Sequence, residues 1–418
     1  MPAAERRPET QRRKAREAAV GKETWRPLRL CVASPSTAAQ QPPASLYLHI
    51  PFCRAKCAYC DFSSYPLAPD LYPPYVAALR AEMEAVGRDW QRPILHTLYI
   101  GGGTPTLLAP SALAGLIEAA SAAFALADDA EITIEANPGT VTLASLRSLL
   151  AAGANRLSLG VQSLNPPALR LLGRIHSAAE ALQAVELARQ AGFANLNLDL
   201  IYGLPGQEMP QWQADLEAAL ACAPEHLSLY ALTLEEGTPL QQRVACREAP
   251  APDADTAASM YEWSQERLAV AGYVHYEISN WALAGHECRH NLTYWHNLPY
   301  AGCGAAAHSW LRGHRRANVA SPQEYMARLE RGESPVAEDE AISPALERAE
   351  TVILGLRLLQ GLDRATFRAR FGVEPVALYP KAVAETSELG LLEVTPQHLR
   401  LTPRGRLLGN QVFWRFLP

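Results

Sequence analysis

No run of apolar residues in this chain approaches the roughly 20 needed to span a bilayer. The charged start, RRPETQRRKAREAAV, also lacks the apolar centre of a secretory signal, and together these absences point to a cytoplasmic protein. Cysteine is scarce: eight residues in 418 exclude the disulfide scaffold of a small secreted protein. A basic excess is missing as well. The 38 Lys and Arg stand against 43 Asp and Glu, and a protein that grips a phosphate backbone carries the opposite balance. With 48% apolar and 19% charged residues, a sizeable core can be buried and a largely disordered chain is excluded.

What is present has a clear order. Residues 1–44 read as a mobile basic tail, for which plain solvation is favoured over contact with RNA or anionic lipid. From residue 45, short β-rich runs alternate with Ala/Leu-rich stretches of helical period. The runs are LYLHI from Leu46, TLYIG from Thr97, EITIEA from Glu131, RLSLGVQ from Arg156, LNLDLIYG from Leu196 and HLSLYALT from His226. Val76, Leu79, Met83 and Val86 share one face of a predicted helix, and Gly153, Gly192 and Gly272 close helical runs. Six β-then-α units imply an α/β fold with a parallel sheet, as an open doubly wound sheet or a partial barrel. HYEISNWA from His275 is a seventh extended run. From about residue 300 the pattern becomes helices, then a strand-turn-strand and a final helix, a small α+β domain of winged-helix type. Arg400, Arg404 and Arg406 are too thin a basic set to make that wing a nucleic-acid reader.

Three of the cysteines fall within eight residues, Cys53, Cys57 and Cys60, just after the first strand. Clustered thiols in a reducing compartment point to metal, and three thiolates leave a tetrahedral shell open. The alternative is structural zinc completed from afar by Cys288, His290 or Cys303. Later strands end in polar or glycine-rich elements, where ligand groups of a parallel barrel collect. These are Gly101-Gly102-Gly103-Thr104, Glu135, Gln162, Asp199, and Thr233 with Glu235. A lone carboxylate at a strand end is commonly a structural acceptor; several on one rim shift the balance toward a site.

YLHIPFCRAKCAYCDF, LYIGGGTPT, ITIEANP, LSLGVQS, NLDLIYGLPGQ and LSLYALTLEEGTPL together resemble the radical S-adenosylmethionine superfamily. More narrowly, they are similar to the branch of oxygen-independent coproporphyrinogen III dehydrogenases and HemW-type heme chaperones. The motifs occur in order over about residues 45–418, including HNLTYW and LTPRGRLL. The resemblance implies a partial (β/α)6 TIM-like radical SAM barrel over 45–300 and a smaller C-terminal domain over 301–418. It implies that Cys53, Cys57 and Cys60 hold a 4Fe-4S cluster, with S-adenosylmethionine chelating the fourth iron. Tyr47 and Tyr59 would border that cofactor, and Gly102, Gly103 and Thr104 would meet its methionine end. Glu135, Gln162, Arg174 and Asp199 match the remaining cofactor-contacting positions, although Arg174 lies in a helical stretch that suits a solvated basic residue equally.

Three functions follow: a dehydrogenase acting on coproporphyrinogen, a heme-binding chaperone, and a structural zinc protein. In the dehydrogenases another cysteine stands two positions after the third cluster cysteine, whereas here Phe62 does. That departure, with HNLTYW, favours the chaperone, with heme as cargo, heme-accepting proteins as partners and a reductant for the cluster. Nucleic acid is not expected, while a homodimer and a peripheral membrane contact stay open. In HECRHNLTYWHN, His290 is nominated as heme ligand, against the plainer reading that it hydrogen-bonds a turn.

Overall fold

A computed structural model describes residues 44–66 and 69–418. The expected basic tail lies outside these apart from Ala44. Strands β1 (Ser45–Ile50), β2 (Ile94–Gly102), β3 (Ala125–Ala136), β4 (Arg156–Gln162), β5 (Leu196–Tyr202) and β6 (His226–Ala231) are parallel neighbours in that order. Helices α1 (Tyr72–Asp89), α2 (Pro110–Ala123), α3 (Leu143–Ala151), α4 (Pro166–Leu171), α5 (Ala178–Ala191), α6 (Met209–Ala221) and α7 (Pro239–Ala245) carry the chain between and beyond them. On α1, Leu79 and Met83 are fully buried, while Val76 and Val86 pack against the same core. α5 opens with a Ser177–Glu180 capping box. It closes on Gly192 in the left-handed region (φ 111°), whose N–H donates to the Ala188 and Arg189 carbonyls.

After α8 (Ala254–Val270), the seventh run is not one strand. It folds back as β7 (Val274–Glu277) and β8 (Asn280–Ala282), with β8 antiparallel to β6. Glu277 makes the turn, its carboxylate accepting the Ser279 N–H (3.0 Å) and the Asn280 side-chain amide. After α9 (Arg289–Trp295), β9 (Tyr300–Cys303) lies parallel to β1 on its free side. β10 (His308–Leu311), β11 (His314–Asn318) and, after α10 (Pro322–Glu330), β12 (Val336–Ala341) extend the sheet antiparallel. The order is β12-β11-β10-β9-β1-β2-β3-β4-β5-β6-β8-β7, so the barrel stays open between β1 and β6. The division expected at residue 300 falls inside this sheet, which runs on to Ala341. Gly302 makes the join, because a Cβ there would collide with the His308 carbonyl oxygen.

The C-terminal unit comprises α11 (Pro344–Gly355), β13 (Leu362–Asp363), α12 (Arg364–Phe371), α13 (Pro375–Leu378), α14 (Pro380–Glu388), β14 (Leu392–Val394), β15 (His398–Leu401), α15 (Pro403–Leu407) and α16 (Gly409–Phe413). Its antiparallel sheet, β13-β15-β14, and its helices enclose a separate core that includes Leu362, Phe367, Leu399 and Val412. Two ion pairs bind it to the large sheet, Arg315–Glu350 (2.8 Å) and Arg357–Glu277 (3.4 Å). Among the described residues no helix is long and apolar enough to cross a membrane.

Candidate functional site

All six parallel strands deliver their carboxyl ends to one rim, where side chains from separate loops meet. The loop after β1 is pinned there by its backbone. The Cys53 N–H donates to Tyr65 O (3.0 Å), the Ala58 N–H to Leu172 O (3.0 Å), and Ala58 O accepts the Leu240 N–H (2.8 Å). Cys53, Cys57 and Cys60 are unpaired and line one cavity of about 1260 Å³. Tyr59, Gly102, Gly103, Thr104, Glu135, Gln162, Arg174 and Asp199 line it too. Tyr47 does not. Its hydroxyl lies 3.0 Å from His49 Nδ1 instead. Among the described residues no three His, Cys, Asp or Glu side chains converge on a single-ion site. The distant zinc donors are engaged elsewhere: Cys288 Sγ lies 3.6 Å from Glu131 Oε1, and Cys303 is buried on β9.

The glycines at the end of β2 are there for close approach. A Cβ on Gly101 would come within 2.9 Å of the Glu135 carboxyl, and one on Gly103 within 2.5 Å of Phe52 O and 3.1 Å of Cys53 Sγ. Gly102 (φ 113°) donates its N–H to Glu135 Oε2 (3.0 Å), and the Tyr99 hydroxyl donates to Oε1 (2.7 Å). Thr104 Oγ1 stands 3.8 Å from Cys53 Sγ. Gln162 ends β4 in the left-handed region (φ 68°), where the β4–β5 register slips.

Burial pushes the Glu135 carboxyl up to about 7, with the nearby Asp199 charge adding to the shift. Burial also raises Asp199, although the Asn197 amide donates to its Oδ1 (2.8 Å) and the Ser158 hydroxyl to its Oδ2 (3.2 Å). Arg156 lines the same cavity fully buried, and its charge draws both values partly back, yet its Nε and Nη1 have no hydrogen-bond partner among the described residues. Arg174 is not solvated: it sits in the turn after α4, where Nη1 donates to Cys57 Sγ (3.2 Å) and Nη2 to Gly160 O (2.7 Å). Burial raises the Cys60 thiol, so a metal there must displace a held proton.

His290, the nominated heme ligand, is enclosed by its neighbours. It is buried on α9, its Nδ1 lies 2.7 Å from Thr97 Oγ1 and its Nε2 2.8 Å from the Tyr294 hydroxyl, and its ring stacks on Tyr99. Burial pushes it down to about 3. With both nitrogens engaged and no solvent path, it presents no lone pair to iron in this arrangement. Tyr99, Arg156, Ser158, Asn197, Ser228 and Asn291 line the cavity unanticipated. The signal for most of them was strand period: Arg156 and Ser158, Asn197 and Asp199, Ser228 and Tyr230 alternate on inward faces.

A family model described as the Radical SAM superfamily matches residues 47–219, and one described as the HemN C-terminal domain matches 342–408. The chain is similar to the heme chaperone HemW of Mycobacterium tuberculosis, 40% identical over 376 residues, spanning 88% of this chain and 94% of that protein. It is also similar to the HemW proteins of Bacillus subtilis (36%, 89% and 99%) and Escherichia coli (36%, 90% and 98%). In structure it is similar to coproporphyrinogen III oxidase (HemN) from Escherichia coli, with a TM-score of 0.79 at 24% identity over 91% of each chain, a likeness of fold. The chain belongs to the HemW family within the radical SAM superfamily. Membership implies a 4Fe-4S cluster and S-adenosylmethionine, and the cavity fits both. Three free thiols share its wall, glycine backbone approaches without side chains, and two half-buried carboxylates face it with no ion-pair partner among the described residues.

Proposed function

We propose that this protein is a heme chaperone, which binds heme as cargo and passes it to acceptor proteins while keeping a 4Fe-4S cluster with S-adenosylmethionine. The observation that carries the reading is identity of 36–40% with heme chaperones HemW, aligned over nearly their whole lengths. Phe62, in place of the further cysteine of the dehydrogenases, supports it. The working compartment is the cytoplasm, and an external reductant feeds the cluster.

Cys53, Cys57 and Cys60 hold the cluster, which when bound supplies an iron with an open position and one-electron chemistry. Arg174 steadies the Cys57 sulfur from the β4 side. Gly102, Gly103 and Thr104 admit the methionine end of the cofactor. Glu135 and Asp199 counter its positive charge, with Gln162 and Tyr59 on the flanking walls. The second reading is a coproporphyrinogen III dehydrogenase, which the complete cofactor pocket favours.

Anaerobically reconstituted protein decides between them. Saturable heme uptake without conversion of coproporphyrinogen III supports the chaperone, and conversion overturns it. Alanine at Cys53, Cys57 or Cys60 should abolish the cluster by iron and sulfide analysis, whereas Cys222→Ala and Cys246→Ala, just after α6 and α7, should keep it.

A further inference from the structure

If His290 is closed off, the heme must sit elsewhere. Two cavities of similar size flank the Cys53 loop, and Cys53 lines both, but their chemistry differs. The inner one, of about 1260 Å³, sets Asp61, Glu135, Asp199, Glu235 and Glu236 against Arg156 and Arg174. Carboxylates outnumber guanidiniums there, and Arg174 is already engaged by Cys57 Sγ and Gly160 O, so it favours a cation over the two propionates of heme. The outer one, of about 1220 Å³, lies between α1 and the start of α2. Pro69, Val76, Leu107, Leu108 and Ala112 give it apolar walls. Its charged lining is Arg54 and Arg80, and among the described residues no carboxylate shares it. Arg54 is exposed, and Arg80 is placed by donating Nη2 to Gly115 O (3.0 Å). The Tyr72 ring forms part of the wall, packed on Phe52 at 4.3 Å between centroids.

A flat apolar macrocycle with two carboxylates on one edge and an iron at its centre matches this lining. We propose that heme docks in this outer groove, its face on the Pro69–Leu108 walls and its propionates on Arg54 and Arg80. Tyr72 is the iron ligand: its phenol oxygen bonds ferric iron as phenolate and the proton leaves to solvent. Cys53, the other ligating side chain in the lining, belongs to the cluster set. The inference rests on the chaperone reading and gives that function its cargo site, on the far side of the Cys53 loop from S-adenosylmethionine.

Hemin titration by difference absorbance on the full, cluster-loaded chain tests it. Wild type should saturate, and Arg54→Glu with Arg80→Glu should weaken binding by about tenfold or more, as expected for lost charge-assisted bonds. Hemin dimethyl ester, its propionates capped, should bind both proteins alike. Ala112→Trp should fill the groove and remove binding, Tyr72→Phe should shift the ferric heme bands, and Phe62→Ala, at the inner mouth, should change nothing. Should Ala112→Trp fail to fold, the arginine pair and the ester decide. Arginine variants that titrate as wild type, or loss of binding in Phe62→Ala alone, overturn the groove and leave the chaperone reading standing. Wild type without saturable binding overturns both.

Discussion

At the seam with the C-terminal unit, Glu347, Glu350 and Glu277 are met by Arg370 (2.8 Å), Arg315 (2.8 Å) and Arg357 (3.4 Å). In the barrel cavity, Glu135 and Asp199 are met by hydroxyl, amide and backbone donors, with no ion pair to either among the described residues. The seam carboxylates are fully buried and the cavity pair half-buried, and the contrast that matters lies in what neutralises them. A buried carboxylate with a built-in cation is a finished part of the fold. One without a cation is held at a cost that a cationic ligand removes on arrival. The sulfonium and amino groups of S-adenosylmethionine are such a ligand.

The largest expected effect tests the seam. Arg370 donates to Glu347 and to the His296 and Asn297 carbonyls, so Arg370→Ala strands a fully buried carboxylate. Urea unfolding should show a loss of about 3 to 5 kcal/mol. Stability equal to wild type would mean that the seam pairs are as dispensable as exposed ones.

The cavity should respond in affinity rather than stability. Glu135→Ala and Asp199→Ala should each weaken S-adenosylmethionine binding by about 1.5 to 3 kcal/mol in calorimetry on cluster-loaded protein. Their unfolding midpoints should move far less than that of Arg370→Ala. Unchanged affinity in both would place the cofactor elsewhere and end the contrast.

Much of this cavity was legible in the sequence because its residues sit at strand ends, where alternation and glycine mark position. The six parallel strands were legible for the same reason. Strands β9 to β12 were not. YAGC is small and glycine-bearing, and β12 is an acidic edge strand whose Asp339 pairs with Arg316 (3.1 Å) across the sheet. Placing β9 beside β1 takes a pairing some 250 residues apart in sequence, which no local pattern encodes. The surroundings of His290 were hidden for a related reason. A histidine's chemistry depends on what packs on it, and Thr97 and Tyr99 come from β2.

A pH series sharpens the comparison on one residue. Glu135 is raised from 4.5 to about 7 in the fold, so the folded state binds its proton more tightly than the unfolded chain. Its stabilising contribution is full below about 4.5 and is lost as pH rises through about 7. Cofactor affinity should run the other way, rising through the same window as the carboxylate ionises. Glu135→Gln should flatten both trends relative to wild type; a variant that keeps the affinity trend would show that another group carries it.

The smallest effect expected is the most discriminating, because Glu82 is also raised by burial to about 7. It lines no part of the cofactor cavity. Its oxygens accept from the Tyr325 hydroxyl (2.6 Å), the Gly304 N–H (2.7 Å) and the Asn318 amide (2.7 Å), tying α1 to the turn after β9, to β11 and to α10. A raised carboxyl is therefore not a site by itself; it must also face open space. Glu82→Gln should disturb those three bonds and lower the unfolding midpoint. It should leave S-adenosylmethionine affinity within about twofold of wild type, as independent sites do. If Glu82→Gln weakened the cofactor as much as Glu135→Ala, burial alone would be setting affinity. The division between seam, scaffold and cavity carboxylates would then fail.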